Sequence, residues 1–244
     1  MADDMTYQDY LELDTLLSLQ SPRTAGTGAS ESTVLSERFF IVAHQASELW
    51  LQQLILDLEA VLDAFTTSDD SSSADWIVDV LHRAAATMSL LQNHILVLDR
   101  LPVRDFATFR AFLGTSSGAQ SAQFHRLSHL LGHGDKEGPL YESFAAWVAR
   151  SGLDLTELAP CGTESGVHYR IIDALLDLGN NYWRWQTSHI CLITKVLGDH
   201  AGTAGTEGAN HLLRHCTLPF PELRRLRGRA HLGHSVDVVA MAND

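Results

Sequence analysis

The sequence has few cysteines and no long apolar run. Its three cysteines, Cys161, Cys191 and Cys216, form neither an even set nor a CxxC pair. This argues against a disulfide framework or a thiolate metal centre and favours a reducing, cytoplasmic environment. No apolar run approaches the roughly 20 residues that a membrane-spanning helix needs. The start, MADDMTYQDY, is acidic and polar, so we expect no signal peptide.

Positive charge is also scarce. The 244 residues include 17 Lys and Arg but 30 Asp and Glu, which gives a net charge of −13. Such a surface repels phosphate backbones and anionic lipids, so we expect neither a nucleic-acid partner nor a membrane partner. The one basic cluster, 224–229, is short and is simplest to interpret as a solvated helix face.

No segment alternates as a half-buried strand does, no internal repeat is present, and helical periodicity dominates. It predicts three long helices, at about 33–66, 74–101 and 166–199. Ser30 or Ser32 is the expected N-terminal cap of the first. Shorter helices are predicted at 5–20, 103–113, 119–132 and 139–151. We therefore predict an all-α fold, a single domain over 1–244, in which long helices form a bundle able to enclose a cofactor.

Two histidines lie within apolar helical stretches. Phe40 and His44, in FFIVAHQASELW, are four residues apart and share one helix face. His189, in WRWQTSHICLITKVLG, has Trp185 one turn before it. Taken alone, each histidine is compatible with a core residue hydrogen-bonded to a neighbouring backbone. Alternatively each is a polar point in a ligand pocket, and the two could lie on opposite sides of one heme, which needs a single proximal histidine.

Arg110 and a glycine-rich stretch are further candidates. Arg110, in DFATFRAFLGTSSG, shares a helical stripe with Phe106 and Leu113. A guanidinium among aromatic rings suits a bidentate bond to a carboxylate, although an arginine that snorkels to water would look the same. The stretch AGTAGTEG (201–208) lacks the ending of a phosphate-binding loop, so we interpret it as a loop that closes over a ligand.

Histidine spacing also offers a rival site. His125, His129 and His133 stand at intervals of four, and His211 and His215 form a second such pair. Pairs with this spacing can bind zinc or iron directly. No HExxH motif is present and few carboxylates lie near, so we rank a non-heme metal centre below the heme interpretation.

Four blocks of the sequence carry a family resemblance. They are MTYQDYLELDTLLSLQ, ERFFIVAHQASELW, DFATFRAFLGTSSG and the stretch from Trp183 to Gly205. In this order they resemble the tryptophan 2,3-dioxygenase family, and the offset of fourteen residues from His189 to Thr203 matches its spacing from heme ligand to loop threonine.

The resemblance implies a heme b cofactor and a role for each matching residue. His189 would be the axial iron ligand, and His44 would accept a hydrogen bond from the indole N–H. Phe40 would pack on the indole, and Arg110 would hold the substrate carboxylate. The other implied positions are Phe106, Leu113 and Thr203 around the substrate, and Ser117 and Gly118 at the heme edge.

The N-terminal segment, 1–20, would contribute to a neighbouring subunit. The resemblance implies that Tyr7, Tyr10 and Leu11 reach into the partner's site, so we expect a homo-oligomer, either a tetramer or a dimer. The implied reaction inserts O2 into the indole C2–C3 bond of L-tryptophan and gives N-formylkynurenine.

Departures from the family pattern leave alternatives open. Ala119, His125 and Ser128 replace an aromatic, an arginine and an acid, and the loop reads GTAGTEGANH. These changes spare the implied iron ligand and carboxylate site but alter the cover of the pocket. A heme monooxygenase of a substituted tryptophan is therefore the alternative function, and a non-catalytic heme sensor or carrier is a third.

Overall fold

The computed structural model describes residues 4–67, 73–160, 166–198, 200 and 208–231, which form a predominantly helical fold. The α-helices are α1 (Tyr7–Tyr10), α2 (Leu13–Ser18), α3 (Glu31–Thr67), α4 (Ala74–Leu98), α5 (Val103–Arg110), α6 (Ala122–Leu131), α7 (Pro139–Arg150), α8 (Leu155–Leu158), α9 (Gly166–Leu197), α10 (Ala209–His215) and α11 (Pro221–Gly228). A 3-10 helix (Gly118–Gln120) precedes α6. The predicted all-α class is confirmed. Within the described ranges, none of the helices has both the length and the apolar character of a membrane span.

The three long helices begin and end close to their predicted bounds. Ser30 caps α3, because its hydroxyl accepts the Thr33 N–H (3.2 Å) and its carbonyl accepts the Val34 N–H (3.1 Å). The helix α4 ends at Leu98 rather than near residue 101, because a turn with a Leu101 N–H to Leu98 carbonyl bond (2.9 Å) precedes Pro102. A proline disfavours helical backbone in the residue before it.

The main core lies between α3, α4 and α9 and extends to α6, α7 and α11. Its aromatic part places the ring of Phe65 5.5 Å from that of Phe144 and 5.6 Å from that of Trp147. A smaller apolar cluster lies toward the N-terminal half of α3. It consists of Ala43, Ile95, Leu98 and Leu192, with Phe39, Phe40, Trp185 and Val196 packed against it. The candidate site borders this smaller cluster.

The N-terminal segment differs from its prediction of one helix over 5–20. Glu12 has a φ of 47°, in the left-handed region, and separates α1 from α2. Neither helix contains a buried residue. No core within the described chain covers the apolar side chains of this segment. Short helices are only marginally stable without such packing, so the helical periodicity alone does not produce one continuous helix here.

A β-hairpin stands where no strand was expected. The strand β1 (Gly132–His133) pairs antiparallel with β2 (Lys136–Glu137). Two-residue strands are too short to show alternation in a sequence. Gly132 has a φ of 91°, and a Cβ there would lie 2.4 Å from the Lys136 carbonyl oxygen, so the close backbone approach requires glycine.

Two shorter helices also end earlier or begin later than predicted. The helix α5 stops at Arg110, and Leu113 lies in the turn that follows, with its N–H bonded to the Arg110 carbonyl (3.1 Å). The helix α6 begins at Ala122 because the Ser121 hydroxyl caps it by accepting the Phe124 N–H (3.3 Å). The 3-10 helix occupies the first part of the predicted 119–132 segment.

Candidate active site

Phe40 and His44 lie one turn apart on α3, with ring centroids 4.0 Å apart. The Nδ1 atom of His44 is 2.8 Å from the Phe40 carbonyl oxygen. A carbonyl oxygen only accepts hydrogen bonds, so Nδ1 must carry the proton. In the neutral ring this leaves a lone pair on Nε2, and His44 can accept one hydrogen bond from a ligand.

The surroundings of His44 keep its ring neutral. Burial lowers the pKa of His44, more than the Phe40 carbonyl and the charge of Glu48 raise it. Solvent nevertheless reaches the side chain, which is exposed on one side. A ligand that reaches the exposed side of this ring would therefore meet an uncharged acceptor.

His189 faces the same region from α9. Burial, and to a lesser extent the charge of His44, lower the pKa of His189 to about 4. Trp185, beside His189, and Phe40, beside His44, pack against the same smaller apolar cluster, so the two imidazoles border one region. The ring of Trp185 lies 5.8 Å from that of His189 and is itself stacked on Phe124 at 5.0 Å. Among the described residues, none forms a hydrogen bond with the His189 ring. A neutral imidazole in this state has a lone pair to offer.

A cluster of aromatic rings joins α5 to α3. The ring of Phe40 lies 6.0 Å from that of Phe106 and 5.4 Å from that of Phe109, and these last two are 5.3 Å apart. Phe109 is fully buried and Phe106 is half-buried. Half-buried Arg110 ends the same helix. The cluster therefore places Arg110 on an element that packs directly against the ring beside His44.

The remaining predicted residues are distributed as follows. Leu113 is half-buried in the turn after α5. Ser117 caps the 3-10 helix through a reciprocal pair of bonds with the Ala119 N–H and the Gln120 side chain, and Gly118 beside it is exposed. Tyr7, Tyr10 and Leu11 are 75%, 74% and 40% exposed and touch no core. Thr203 lies outside the described residues.

The sequence comparisons decide between the families that such a site could belong to. The family model for tryptophan 2,3-dioxygenase matches residues 1–144. A tryptophan 2,3-dioxygenase of Caulobacter vibrioides (strain ATCC 19089 / CIP 103742 / CB 15) is 30% identical, covering 93% of this chain and 99% of its own length. The chain belongs to the tryptophan 2,3-dioxygenase family. It is therefore an oxidoreductase.

Other relatives agree over the same length. The tryptophan 2,3-dioxygenase of Arthrobacter sp. (strain FB24) is 29% identical over 91% of each chain. That of Ruegeria pomeroyi (strain ATCC 700808 / DSM 15171 / DSS-3) is 27% identical, covering 93% of this chain and 94% of its own. The similarity thus extends beyond residue 144 to the region that contains α9 and His189.

The donor set of this family member fits a heme. A structural core histidine bonds to a backbone or side-chain partner, as His44 does at Nδ1. His189 has no such partner among the described residues, and its neighbours on α9 include the ring of Trp185 and Leu192 of the smaller apolar cluster. A neutral imidazole in an apolar slot is what an axial iron ligand requires.

The rival histidine stripe is not assembled for a metal. Nε2 of His125 is 2.8 Å from the Ala119 carbonyl oxygen. His133 has its ring 6.0 Å from that of His215. Over the part of the chain that the structure describes, no three His, Cys, Asp or Glu side chains converge on one point; the side chain of His211 lies outside that part.

Two site features escaped sequence reasoning. Phe109 belongs to the ring cluster, although the predicted stripe passed from Phe106 to Arg110. Asp105 accepts hydrogen bonds from three hydroxyls on α3. An acid in the first turn of a helix is ordinarily explained by the helix dipole alone, so its sequence position did not reveal these distant partners.

Proposed function

We propose that this chain is a heme-dependent dioxygenase that inserts both atoms of O2 at the indole C2–C3 bond of L-tryptophan, giving N-formylkynurenine. The observation that carries the proposal is that Phe40, beside His44 on α3, and Trp185, beside His189 on α9, pack against one small apolar cluster, so the two imidazoles border the same region. Family membership supports the reaction class.

His189 would hold the heme. Its lone pair would bind the heme iron, with Trp185 packed one turn earlier on the same helix. Ser117 and Gly118, in the capped turn before α6, would border the heme edge. Ferrous heme with one histidine ligand binds O2 and supplies the oxygen chemistry.

The protein would bind L-tryptophan at both ends. Nε2 of His44 would accept the indole N–H, because Nδ1 is already bonded to the Phe40 carbonyl. Phe40 would pack on the indole, with Phe106 and Leu113 beside it, and Arg110 would hold the carboxylate. Thr203 would contact the amino-acid head group. Fixing both ends confines the ring to one orientation.

Product analysis tests the reaction. The heme-loaded ferrous protein is mixed anaerobically with L-tryptophan and then with ¹⁸O₂. We expect N-formylkynurenine carrying two ¹⁸O atoms. A reversible gas complex without turnover would contradict the proposal and indicate a sensor or carrier.

The second candidate is a monooxygenase of a substituted tryptophan. The observation that favours it is Ala119, where the family has an aromatic ring: residue 119 is exposed and makes hydrogen bonds only through its backbone, to Ser117 and His125, so it supplies no ring to cover this side of the site. The same experiment separates the two functions, because a product with a single ¹⁸O atom would support the monooxygenase.

The iron ligand has its own test. We expect His189→Ala to purify without a Soret band, because it removes the axial lone pair. The matched control is His94→Ala on α4, whose Nδ1 lies 3.3 Å from the Ser47 hydroxyl, and it should retain heme. Normal heme content in His189→Ala would contradict the assignment.

We also propose that the chain forms a homo-oligomer and that 1–244 is a single domain. One main core draws on helices from α3 to α11, which supports the single domain. On α3, Leu35, Val42, Leu49 and Leu56 are 59%, 46%, 53% and 54% exposed. They are seven residues apart, so they form one apolar stripe of the kind that pairs helices between copies.

Light scattering coupled to size exclusion tests the oligomer. The wild type should exceed the 26.9 kDa of one chain. Leu49→Glu should shift the protein toward the monomer, because a charge would enter the apolar stripe. Leu213→Glu on α10, where the leucine is 57% exposed, is the control and should leave the mass unchanged. A monomeric wild type would contradict the proposal.

A further inference from the structure

A carboxylate one residue before Phe106 connects α5 to the beginning of α3. Asp105 Oδ2 accepts hydrogen bonds from the hydroxyls of Ser32 and Ser36, both at 2.8 Å, and Oδ1 accepts one from Thr33 at 3.1 Å. Asp105 is only 9% exposed. Three neutral hydroxyls satisfy this buried carboxylate by hydrogen bonds, and the positive charge of the neighbouring Arg104 also favours its ionised form.

The direction of each bond is determined. The pKa of Asp105 is lowered by its bonds to Ser32 and Ser36, so the carboxylate is ionised and can only accept. The Thr33 hydroxyl donates its single proton to Asp105. The Ser30 hydroxyl, 2.9 Å from that of Thr33, must then be the donor in their contact. The result is an ordered hydrogen-bond network in which every proton has one place.

The hydroxyls share a ridge of α3 with the proposed substrate contacts. Ser32, Ser36, Phe40 and His44 follow one another at intervals of four, which places them in one row along the helix. The first two hold Asp105, and the next two form the indole side of the proposed site. One face of α3 therefore sets both where α5 attaches and where the indole N–H would be received.

The helix α5 needs such an attachment. It has eight residues, fewer than an isolated helix needs for stability. Pro102 at its N-terminus provides no side-chain cap. It also contacts α3 through the rings of Phe106 and Phe109 on Phe40, and apolar packing has little directionality. Hydrogen bonds to Asp105 are directional and resist sliding or rotation of α5 along α3.

We infer that Asp105 is a positioning residue that sets the separation between Arg110 and His44, and with it the length of the amino-acid substrate that fits. Arg110 stands five residues after Asp105 on the same short helix. This inference rests on the proposed function, since it assumes that Arg110 holds the substrate carboxylate. Asp105 itself touches no substrate and acts through the register of α5.

The test compares two ligands that differ at one group. Calorimetric titration of the heme-loaded protein measures affinity for L-tryptophan and for tryptamine, which lacks only the carboxylate. Asp105→Ala should weaken the binding of L-tryptophan by about tenfold or more, which is the range for losing a hydrogen bond to a charged group. It should leave the affinity for tryptamine unchanged. The ratio of the two affinities should therefore fall toward one. An unchanged ratio overturns the inference.

A matched variant separates positioning from general destabilisation. Asp57 is also a buried aspartate that joins two helices, through Arg83 at 2.7 Å, but it ties α3 to α4 away from the site. Asp57→Ala should lower the melting temperature and keep the affinity ratio of the wild type. The same fall in ratio in both variants would overturn the inference, because it would follow from lost stability.

Two further variants test the hydrogen bonds themselves. An amide in Asp105→Asn can accept from Thr33 through its oxygen and donate to Ser32 and Ser36 through its NH2 group, so this variant should recover the ratio. If this variant does not recover the ratio, the charge of Asp105, rather than its hydrogen-bonded attachment to α3, sets the ratio, and the inference is overturned. Ser32→Ala combined with Ser36→Ala should reproduce Asp105→Ala, and it provides the same measurement if Asp105→Ala does not fold.

The experiment also separates the inference from the proposed function. A wild type that fails to bind L-tryptophan contradicts the proposed function, and the inference falls with it. If the wild type binds L-tryptophan more tightly than tryptamine and Asp105→Ala keeps the same ratio of affinities, the inference alone is contradicted.

Discussion

His44 and His189 have the same side chain but different hydrogen-bond surroundings. The Phe40 carbonyl fixes the proton of His44 on Nδ1. His189 has no hydrogen-bond partner within the described residues, and burial together with the charge of His44 lowers its pKa to about 4. Both rings are neutral near pH 7, one as an oriented acceptor and the other as a free lone pair. This difference supports the distinct roles proposed for them.

At the residue scale, we expect His44→Ala to retain heme and to bind L-tryptophan more weakly by about 1 kcal/mol, the value of one hydrogen bond. The control ligand is 1-methyltryptophan, which has no indole N–H. Titration should show that this analogue binds both proteins equally. If the wild type binds L-tryptophan no more tightly than 1-methyltryptophan, His44 does not accept the indole N–H.

Glu37 is a second residue with a demanding environment. It is 1% exposed and accepts three hydrogen bonds, from the Arg23 N–H (2.8 Å), the Thr24 N–H (2.8 Å) and the Thr24 hydroxyl (2.6 Å). All three donors lie in the loop before α3. The residue therefore anchors to α3 the loop that follows the N-terminal segment.

We expect Glu37→Gln to lower the free energy of unfolding by about 2 kcal/mol, because its NH2 group would face buried donors that lose their acceptor. Urea denaturation followed by circular dichroism measures this change. Glu31→Gln, at the exposed first residue of α3, is the control. Equal stability of the two variants would show that the Glu37 bonds are dispensable.

At the scale of elements, packing decides which periodic segments become long helices. The helices α3 and α9 bury whole faces in shared cores. The segment 5–20 has a similar apolar spacing but no buried residue, and it breaks at Glu12. The β1–β2 hairpin forms instead where two glycines permit a close backbone approach at Gly132 and Gly138.

The hairpin provides a paired prediction. Gly132→Ala should lower stability by about 3 kcal/mol or more, because a Cβ would meet the Lys136 carbonyl at 2.4 Å in a backbone region almost restricted to glycine. Gly134 has a φ of 65°, and a Cβ there would meet no atom within 4 Å, so Gly134→Ala should lose only about 1 kcal/mol. Thermal unfolding compares them, and equal losses would refute the clash.

At the scale of the whole molecule, stability and the site draw on different clusters. The main core contains Phe65, Phe144 and Trp147. The smaller cluster with Ala43 and Leu192 borders the candidate site. Because α3 passes through both, its C-terminal half stabilises the bundle while its N-terminal half presents the proposed site residues.

We expect Phe65→Ala to lower the free energy of unfolding by about 3–5 kcal/mol, the range for removing a buried aromatic ring. One cooperative transition should remain if 1–244 is a single domain. Phe112→Ala, where the phenylalanine is 45% exposed, should change stability by less than about 0.5 kcal/mol. Two separate transitions would argue against the single domain.

Much of this molecule was predictable because its signals are local. Apolar spacing predicted α3, α4 and α9 to within a few residues, and the spacing of Phe40 and His44 predicted a shared face. The hydrogen bonds of Asp105 were not predictable, since its partners lie 69 to 73 residues away. The roles of the predicted site residues, including Arg110 and His189, stay predictions.

The amino-acid sequence by itself determined the all-α class, the family and the residue types available for chemistry. These follow from composition, from the 3.6-residue period and from motifs that are contiguous along the chain. Tertiary structure alone decided which acid holds α5 against α3, which histidine nitrogen carries the proton and which periodic segment stays unpacked. Each of these depends on atoms distant in sequence, and their proximity is a property of the folded backbone.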